Sequence, residues 1–334
     1  MNFPAYRFST APMMDWTDRH WRVFARILTH RALLYTEMVT ADALIHGRLD
    51  YLTAHDAREY PLALQIGGSD PDVIHRAVSR VKDLGFCEIN LNVGCPSDRV
   101  RAGAFGAALM ADPIRVRECL QAMKNAAGTN GPEITAKIRL GINDQVVEYS
   151  LPEFIETAIC SNVERLIIHA RKAILGGLSP KQNRDIPPLD YSLVHLMKRT
   201  YPDLKIVLNG GLTDLNTAHE QLTQVDGVMV GRAAYQNPQI LLGVDPLFYN
   251  EPAPVPSAEA ALKAYRPYVE AQLAKGFPLK HLSRHLVGLY HDVPGARRYR
   301  QILSERAHLP GANWSVIEDA LAAVSRPEPH EHLA

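Results

Sequence analysis

Between residues 7 and 231 the chain carries eight short apolar runs, and their regular recurrence constrains the fold more than any other feature. They lie at 7–13 (RFSTAPM), 33–38 (LLYTEM), 61–67 (PLALQIG), 86–92 (FCEINLN), 134–140 (ITAKIRL), 165–170 (RLIIHA), 205–210 (KIVLNG) and 227–231 (GVMVG). Runs that are apolar on both faces suit parallel strands covered by helices. Helix signals separate them. Asp70-Pro71 places a cap and an N1 proline before DVIHRAVSRVKDLG, which closes at Gly85. Asp112-Pro113 repeats the device before IRVRECLQAMKNAAG, and Asp214 can cap LNTAHEQL. Eight strands, each followed by a helix or a helix-length connection, predict an α/β fold, a (β/α)8 TIM barrel. The alternative is a doubly wound sheet. That fold usually opens with G-x-G-x-x-G after its first strand, whereas the turn here reads APMMDWTD.

The barrel is expected to fill residues 1–245. Residues 246–256, within DPLFYNEPAPVPS, read as a proline-rich linker. From 257 to 325 four helical stretches follow: AEAALKAYRPYVEAQLAKG, LKHLSRHLVGLYHDV, GARRYRQILSERAH and WSVIEDALAAVS. They predict a small C-terminal helical bundle domain. Residues 326–334 (RPEPHEHLA) read as a disordered tail. No run of about 18 apolar residues occurs, so no membrane span or membrane partner is expected. The N-terminus, MNFPAYRFST, lacks the apolar core of a signal peptide, which makes the cytoplasm the expected location.

Four cysteines, Cys87, Cys95, Cys119 and Cys160, form no C-x-x-C pair. That argues against a zinc site or a redox dithiol, and no metal is expected. Scattered thiols suit a reducing compartment. Cys87, Cys119 and Cys160 read as small buried core residues. Cys95 does not, because Gly94, Pro96, Ser97 and Asp98 around it make a turn and no packing surface.

In an eight-stranded β/α barrel the site is built from the C-terminal ends of the strands. Those ends supply Pro12, Met13 and Met14, then Gln65, then Asn90 and Asn92, then Lys137 and Arg139, then His169 and Arg171, then Asn209, Gly210 and Gly211, and finally Gly231 and Arg232. Amides, cations and glycines would not concentrate there for solvent alone. Asn-Gly-Gly after the seventh strand and Gly-Arg after the eighth place glycine where backbone approaches a ligand, the usual phosphate position of this fold. Lys137 lies among Ile134, Ala136 and Ile138; an amino group there is costly to bury unpaired and should face an anionic or electron-rich ligand atom.

Taken together, APMMDWTD, LQIGG, INLNVGCPSD, TAKIRLG, IIHAR, LNGG and VMVGRAAYQNP resemble the dihydrouridine synthases, flavoenzymes that reduce uridine in tRNA. The matches run in order from Ala11 to about Pro238. ILGGLSPKQNR (174–184) and HLSRHLVGLYHDVPGARRYR (281–300) are similar to the subfamily acting at positions 20 and 20a of the D-loop. The resemblance implies FMN at the barrel mouth and NADPH as electron donor. It implies that Pro12, Met13 and Met14 line the flavin, that Gln65 and Lys137 contact its ring system, and that His169, Asn209, Gly210, Gly211, Gly231 and Arg232 hold its phosphate. It further implies that Asn92 pairs with the uracil edge and that Cys95 protonates C5 after hydride has reached C6. A free thiol is mostly protonated at neutral pH, as an acid must be.

A tRNA partner asks for local cations, since Lys plus Arg (36) equals Asp plus Glu (36) over the chain. Residues 275–306 supply them: Lys275, Lys280, Arg284, Arg297, Arg298, Arg300 and Arg306 stand against only Asp292 and Glu305. The loop at 171–190 adds Arg171, Lys172, Ser179, Lys181, Gln182, Asn183 and Arg184, and with Arg139 is expected to set which uridine enters. Residues 96–111 read as a mobile lid carrying Cys95, with Arg99 and Arg101 expected to touch RNA phosphates. No G-x-G-x-x-G occurs, so NADPH is expected to use the same face as the tRNA. The chain is expected to act as a monomer. Two other readings fit parts of the pattern. One is a flavin barrel reducing a small pyrimidine or enoate; the other is an RNA-binding protein on an inactive barrel.

Overall fold

A computed structural model describes residues 3–97, 100 and 103–325. Its first unit comprises the residues up to Asp15 together with Ala32–Gly231. It holds eight strands: β1 (Phe8–Thr10), β2 (Leu34–Thr40), β3 (Leu62–Gly67), β4 (Glu88–Val93), β5 (Glu133–Arg139), β6 (Arg165–His169), β7 (Lys205–Asn209) and β8 (Gly227–Val230). All pair in parallel, in the order β1-β8-β7-β6-β5-β4-β3-β2. The ring closes where Thr10 N–H donates to the Leu33 carbonyl and Leu33 N–H to that of Phe8, each at 3.0 Å. This is the expected (β/α)8 barrel.

The expected caps are in place. Asp70 accepts from the N–H groups of Asp72 and Val73 at the head of the helix Pro71–Val81. Asp112 accepts from Arg115 N–H at the head of Pro113–Ala127, and Asp214 from Thr217 N–H at the head of Leu215–Glu220. β3, β4, β6 and β8 are buried throughout, as strands covered on both faces require. Part of the interior is an apolar plug of Ala11, Leu33, Tyr35, Ala63, Ile167, Val207 and Met229. The pairing register sets Gln65 level with Asn90, Asn92 with Lys137, and Arg139 with His169 and Asn209.

The second unit comprises Trp16–Arg31 and the chain from Arg232 on. Its division from the first therefore falls at Gly231, ahead of the expected boundary at 245, and it recruits a segment expected to belong to the barrel. The reason is packing that no linear pattern displays. The helix Arg19–Leu28 packs on the helix Ala258–Ala274, with the Phe24 and Tyr265 rings 5.1 Å apart and Tyr265 Oη donating to the His20 carbonyl at 3.1 Å. Asp18 caps Arg19–Leu28 and also holds Arg284 and His285.

The proline-rich stretch after 245 is packed rather than open. Asp245–Tyr249 form one turn of π-helix with Phe248 and Tyr249 buried, and the Asp245 carboxylate accepts from the N–H groups of His30 and Arg31 at 2.7 and 3.2 Å. Of the four C-terminal helices expected, the second is broken. It runs only over Leu279–Ser283 and tightens into a 3₁₀ turn at Arg284–Leu286. Beyond it, Asp292 takes a left-handed conformation, and a Cβ on Gly288 would lie 2.0 Å from the Gln236 carbonyl oxygen, so close backbone approach displaces regular helix. The other helices span Ala258–Ala274, Ala296–Arg306 and Ser315–Ser325. The tail 326–334, Arg99 and Arg101 lie outside the described residues.

Candidate active site

The turn after β4 presents Cys95. Its thiol is part-exposed and reaches Ser97 Oγ at 3.5 Å, while its carbonyl accepts from Ala107 N–H at 2.9 Å. Gly106 makes that return possible: its φ is +68°, and a Cβ there would meet the Cys95 carbonyl oxygen at 2.6 Å and Val100 Cγ1 at 2.4 Å. Two interior side chains hold the turn from below. Asn92 Oδ1 accepts from the N–H groups of Gly94 and Cys95 at 3.2 and 3.0 Å. Arg139 Nε donates to the Gly94 carbonyl at 3.2 Å.

Asn92 and Arg139 are thus committed to the protein to a degree that their sequence positions do not reveal. Asn92 Nδ2 donates to Gln65 Oε1 at 2.8 Å. Arg139, only 4% exposed, donates through NH1 to the carbonyls of Lys172 and Asn183 at 3.3 and 3.0 Å. Its guanidinium ties the Cys95 turn to the loop after β6. That loop is organised by Asn183, which sequence reading placed among its polar residues. The side chain is wholly buried; Oδ1 accepts from Ile174 N–H at 2.7 Å and Nδ2 donates to the Ile174 and Leu178 carbonyls. Ser179 and Gln182 cap each other, with Ser179 N–H on Gln182 Oε1 at 2.8 Å and Gln182 N–H on Ser179 Oγ at 3.2 Å. Arg171 donates to the Pro187 carbonyl, and Lys172 Nζ to that of Gln145 at 2.8 Å. Lys181 and Arg184 are exposed on the same loop.

Lys137 is different. Its amino group makes no hydrogen bond or ion pair with any described residue, and burial together with the Arg139 guanidinium pushes its pKa down to about 7, against the opposing pull of Cys95. Burial, Arg139 and Lys137 hold His169 well below the usual imidazole range, so it stands neutral. Asn209 Nδ2 donates to the Met229 carbonyl at 2.8 Å. Gly210, at φ +104°, lies against the His169 ring, where a Cβ would sit 2.4 Å from Cδ2. Gly211 follows at φ +70°, where a Cβ would meet Leu189 Cδ1 at 2.4 Å. Gly231 is unlike both. A Cβ there would make ordinary van der Waals contacts with Ala11 Cβ at 3.6 Å and Met13 Sδ at 3.9 Å, so a methyl group would meet no clash among the described residues. Met13 packs on the apolar plug and Met14 is 55% exposed.

Across the chain, the dihydrouridine synthase family model matches residues 9–325. The chain belongs to the dihydrouridine synthase family. Among curated relatives, the tRNA-dihydrouridine(20/20a) synthase of Yersinia pestis is 51% identical over 325 residues, 97% of this chain and 93% of that protein. Those of Shewanella oneidensis (51%; 95% and 93% of the two chains) and Escherichia coli (49%; 97% of each) match over similar lengths. Among solved structures, morphinone reductase covers 78% of this chain and 93% of its own at a TM-score of 0.51 and 10% identity, a likeness of fold alone.

In this dihydrouridine synthase the structure collects Gln65, Asn92, Lys137, Arg139, His169, Asn209, Gly210, Gly211 and Gly231 at the strand ends of the first unit, with Cys95 on its turn. Arg232 opens the helix Arg232–Gln236 of the second unit. In that unit Arg297 and Arg298 are exposed on Ala296–Arg306, where Arg298 NH1 donates to Gln301 at 3.0 Å. Arg284 and Arg306 are drawn into ion pairs with Asp18 and Asp319, leaving Lys275, Lys280, Arg297, Arg298 and Arg300 exposed without an ion-pair partner among the described residues. Of the cysteines, only Cys119 is the buried residue expected; Cys87 and Cys160 are exposed. Sequence reading missed Glu88 and Thr135. Both face the barrel interior at alternate positions of their strands, and the signal that could have marked them is polarity inside otherwise apolar runs.

Proposed function

We propose that this chain reduces the C5=C6 bond of uridine at positions 20 and 20a of tRNA to 5,6-dihydrouridine, with FMN as cofactor and NADPH as electron donor. The observation that carries the reading is the part-exposed Cys95 thiol, held on a hydrogen-bonded turn at a mouth whose interior amino group, Lys137, has no hydrogen-bond or ion-pair partner among the described residues. The relatives' names supply the substrate and its positions.

Two features of the residues fit the cofactor. Lys137 offers an unspent amino group to an electron-rich ring atom, and Gly231 leaves a space that a phosphate oxygen could enter without displacing protein. Gln65, Pro12, Met13 and Met14 would face the ring system. His169, Asn209, Gly210, Gly211 and Gly231 would hold the phosphate, to which the resemblance adds Arg232. Bound at this mouth and reduced, FMN would supply the hydride for C6 of uracil. Cys95 then gives its sulfhydryl proton to C5, where enolate character has developed, and Asn92 and Arg139 keep the turn in place during the transfer. A positioned general acid contributes about 10²–10⁴-fold.

A base inside folded tRNA must be everted to reach such a mouth. The exposed cations Lys275, Lys280, Arg297, Arg298 and Arg300 supply phosphate contacts on the RNA, with Lys181 and Arg184 on the loop after β6. The chain carries no dinucleotide-binding fingerprint, so NADPH and tRNA take turns at one face and the kinetics are ping-pong. The test loads purified protein with FMN, reduces it with NADPH without oxygen, and adds unmodified tRNA or free uridine. Fast reoxidation by tRNA alone, with dihydrouridine mapped at 20 and 20a, is the expected result. Equal oxidation by free uridine would favour a small-pyrimidine reductase instead.

A further inference from the structure

A line of side chains inside the barrel runs from the Cys95 turn to a buried ion pair at the opposite end. Cys95 N–H donates to Asn92 Oδ1 at 3.0 Å, Asn92 Nδ2 to Gln65 Oε1 at 2.8 Å, Gln65 Nε2 to Asn90 Oδ1 at 2.8 Å, and Asn90 Nδ2 to Thr135 Oγ1 at 2.8 Å. Thr135 Oγ1 donates in turn to Glu88 Oε1, and Glu88 is paired with Arg165. Gln65, Glu88, Asn90 and Thr135 are each no more than 1% exposed. Barrel interiors are usually filled by branched apolar residues. Here β3, β4 and β5 contribute a polar line, beside the apolar cluster of Ala11, Leu33, Tyr35, Ala63, Ile167, Val207 and Met229.

The direction of every bond in this line is fixed by its ends. A carboxylate can only accept, so the single hydroxyl proton of Thr135 must go to Glu88. Thr135 then accepts from Asn90, which forces the Asn90 oxygen toward Gln65 and the Gln65 oxygen toward Asn92. At the other end a backbone N–H can only donate, which requires the Asn92 oxygen to face Cys95. The two requirements agree. One consequence is chemical. The Asn92 oxygen already serves two N–H groups, so what Asn92 retains for a ligand is its second N–H. Gln65 likewise keeps one N–H, since its other proton is spent on Asn90. Reversing either amide would set donor against donor in a sealed interior, where such a mismatch is most costly.

We propose that Thr135, Asn90 and Glu88 are positioning residues that set the amide polarity of Gln65 and Asn92 and, through Asn92, the placement of Cys95. None of the three has to touch substrate. The proposal rests on the reading of Cys95 as the proton donor, and the test separates the two. Thr135→Val keeps the shape and removes the hydroxyl, and Thr135→Ser restores it. With FMN-loaded protein reduced by NADPH, Thr135→Val is expected to slow reoxidation by tRNA about tenfold, equivalent to about 1.4 kcal/mol. KM for tRNA should stay within about twofold, too small a change to matter energetically. Thr135→Ser is expected to recover the wild-type rate, and alkylation of the Cys95 thiol by iodoacetamide to change in rate in Thr135→Val only.

A wild-type reoxidation rate in Thr135→Val, alongside an impaired Cys95→Ala, would overturn the relay and leave the acid role standing. A wild-type rate in Cys95→Ala would end both. A loss confined to KM, or a serine variant no better than valine, also counts against the relay. If Thr135→Val does not fold, Thr135→Ala removes the same hydroxyl without the added methyl. Failure of both to fold while serine folds would make the hydroxyl a stability element and sink the proposal.

Discussion

Arg139 donates through Nε to the carbonyl of Gly94 at 3.2 Å, so a guanidinium inside the barrel holds the turn that presents Cys95. Its NH1 group also serves the carbonyls of Lys172 and Asn183, joining two loops that are far apart in sequence. Arg139→Met is expected to lower the unfolding free energy by about 1–3 kcal/mol, because it orphans buried carbonyls while removing a buried charge. Urea denaturation measures the loss. Reoxidation by tRNA should fall with it in protein that remains folded, since the Cys95 turn loses its anchor.

Cys95→Ala removes the proposed acid and leaves the packing around it nearly unchanged. Flavin content and reduction by NADPH should match wild type, whereas reoxidation by tRNA should slow about 10²–10⁴-fold. Stopped-flow absorbance of the flavin separates the two half-reactions. A mutant as fast as wild type with tRNA would remove the thiol from the chemistry.

Lys137 titrates at about 7 in the protein, pushed down by burial and by Arg139, against about 10.4 for an unstructured lysine. Between those values the folded chain binds fewer protons than the unfolded one, so this group makes stability rise with pH across the window. Below it, the full penalty of a buried charge applies. Lys137→Met never carries the charge. Its melting temperature as flavin-free protein should therefore exceed wild type most at pH 7 and below, and the gap should narrow toward pH 10. Thermal scans across that range decide; a gap independent of pH would contradict the lowered value.

Gly231 has room for a methyl group and no left-handed backbone to forbid one. Gly231→Ala should leave the stability of the flavin-free protein within about 0.5 kcal/mol of wild type. If a phosphate uses that space, FMN affinity should weaken about tenfold. Titration followed by flavin fluorescence gives the answer. Unchanged affinity would move the phosphate elsewhere.

Arg297 and Arg298 are exposed cations on the helix Ala296–Arg306. Replacing both with alanine should weaken tRNA binding and flatten the dependence of log K on log salt by about 1 for each phosphate that is no longer neutralised. NADPH oxidation in the flavin half-reaction should not change. A salt slope identical to wild type would exclude the pair from the RNA interface.

The strand runs, the Asp-Pro helix starts and the glycines after the seventh and eighth strands were enough to specify a β/α barrel and the end of it that carries chemistry. These are local signals: burial on both faces, a fixed φ at proline and a missing Cβ each leave a mark in a few consecutive residues. Cys95 stood out for the same reason, as a thiol in a turn with nothing to pack on. Tertiary structure alone decided what those residues are bonded to. Asn92 and Arg139 look like free ligand-binding groups in the sequence, yet Asn92 is bonded to the backbone of its own turn and to the Gln65 side chain, and Arg139 to backbone carbonyls of distant loops. Glu88 lies in no motif, Thr135 and Asn183 are unremarkable members of theirs, and all three become hubs only when strands and loops converge. The segment 16–31 joins the second unit because Asp18, His20 and Phe24 meet partners more than two hundred residues further along the chain. Pairings of that span depend on which faces the closed fold brings together, and no local pattern encodes them.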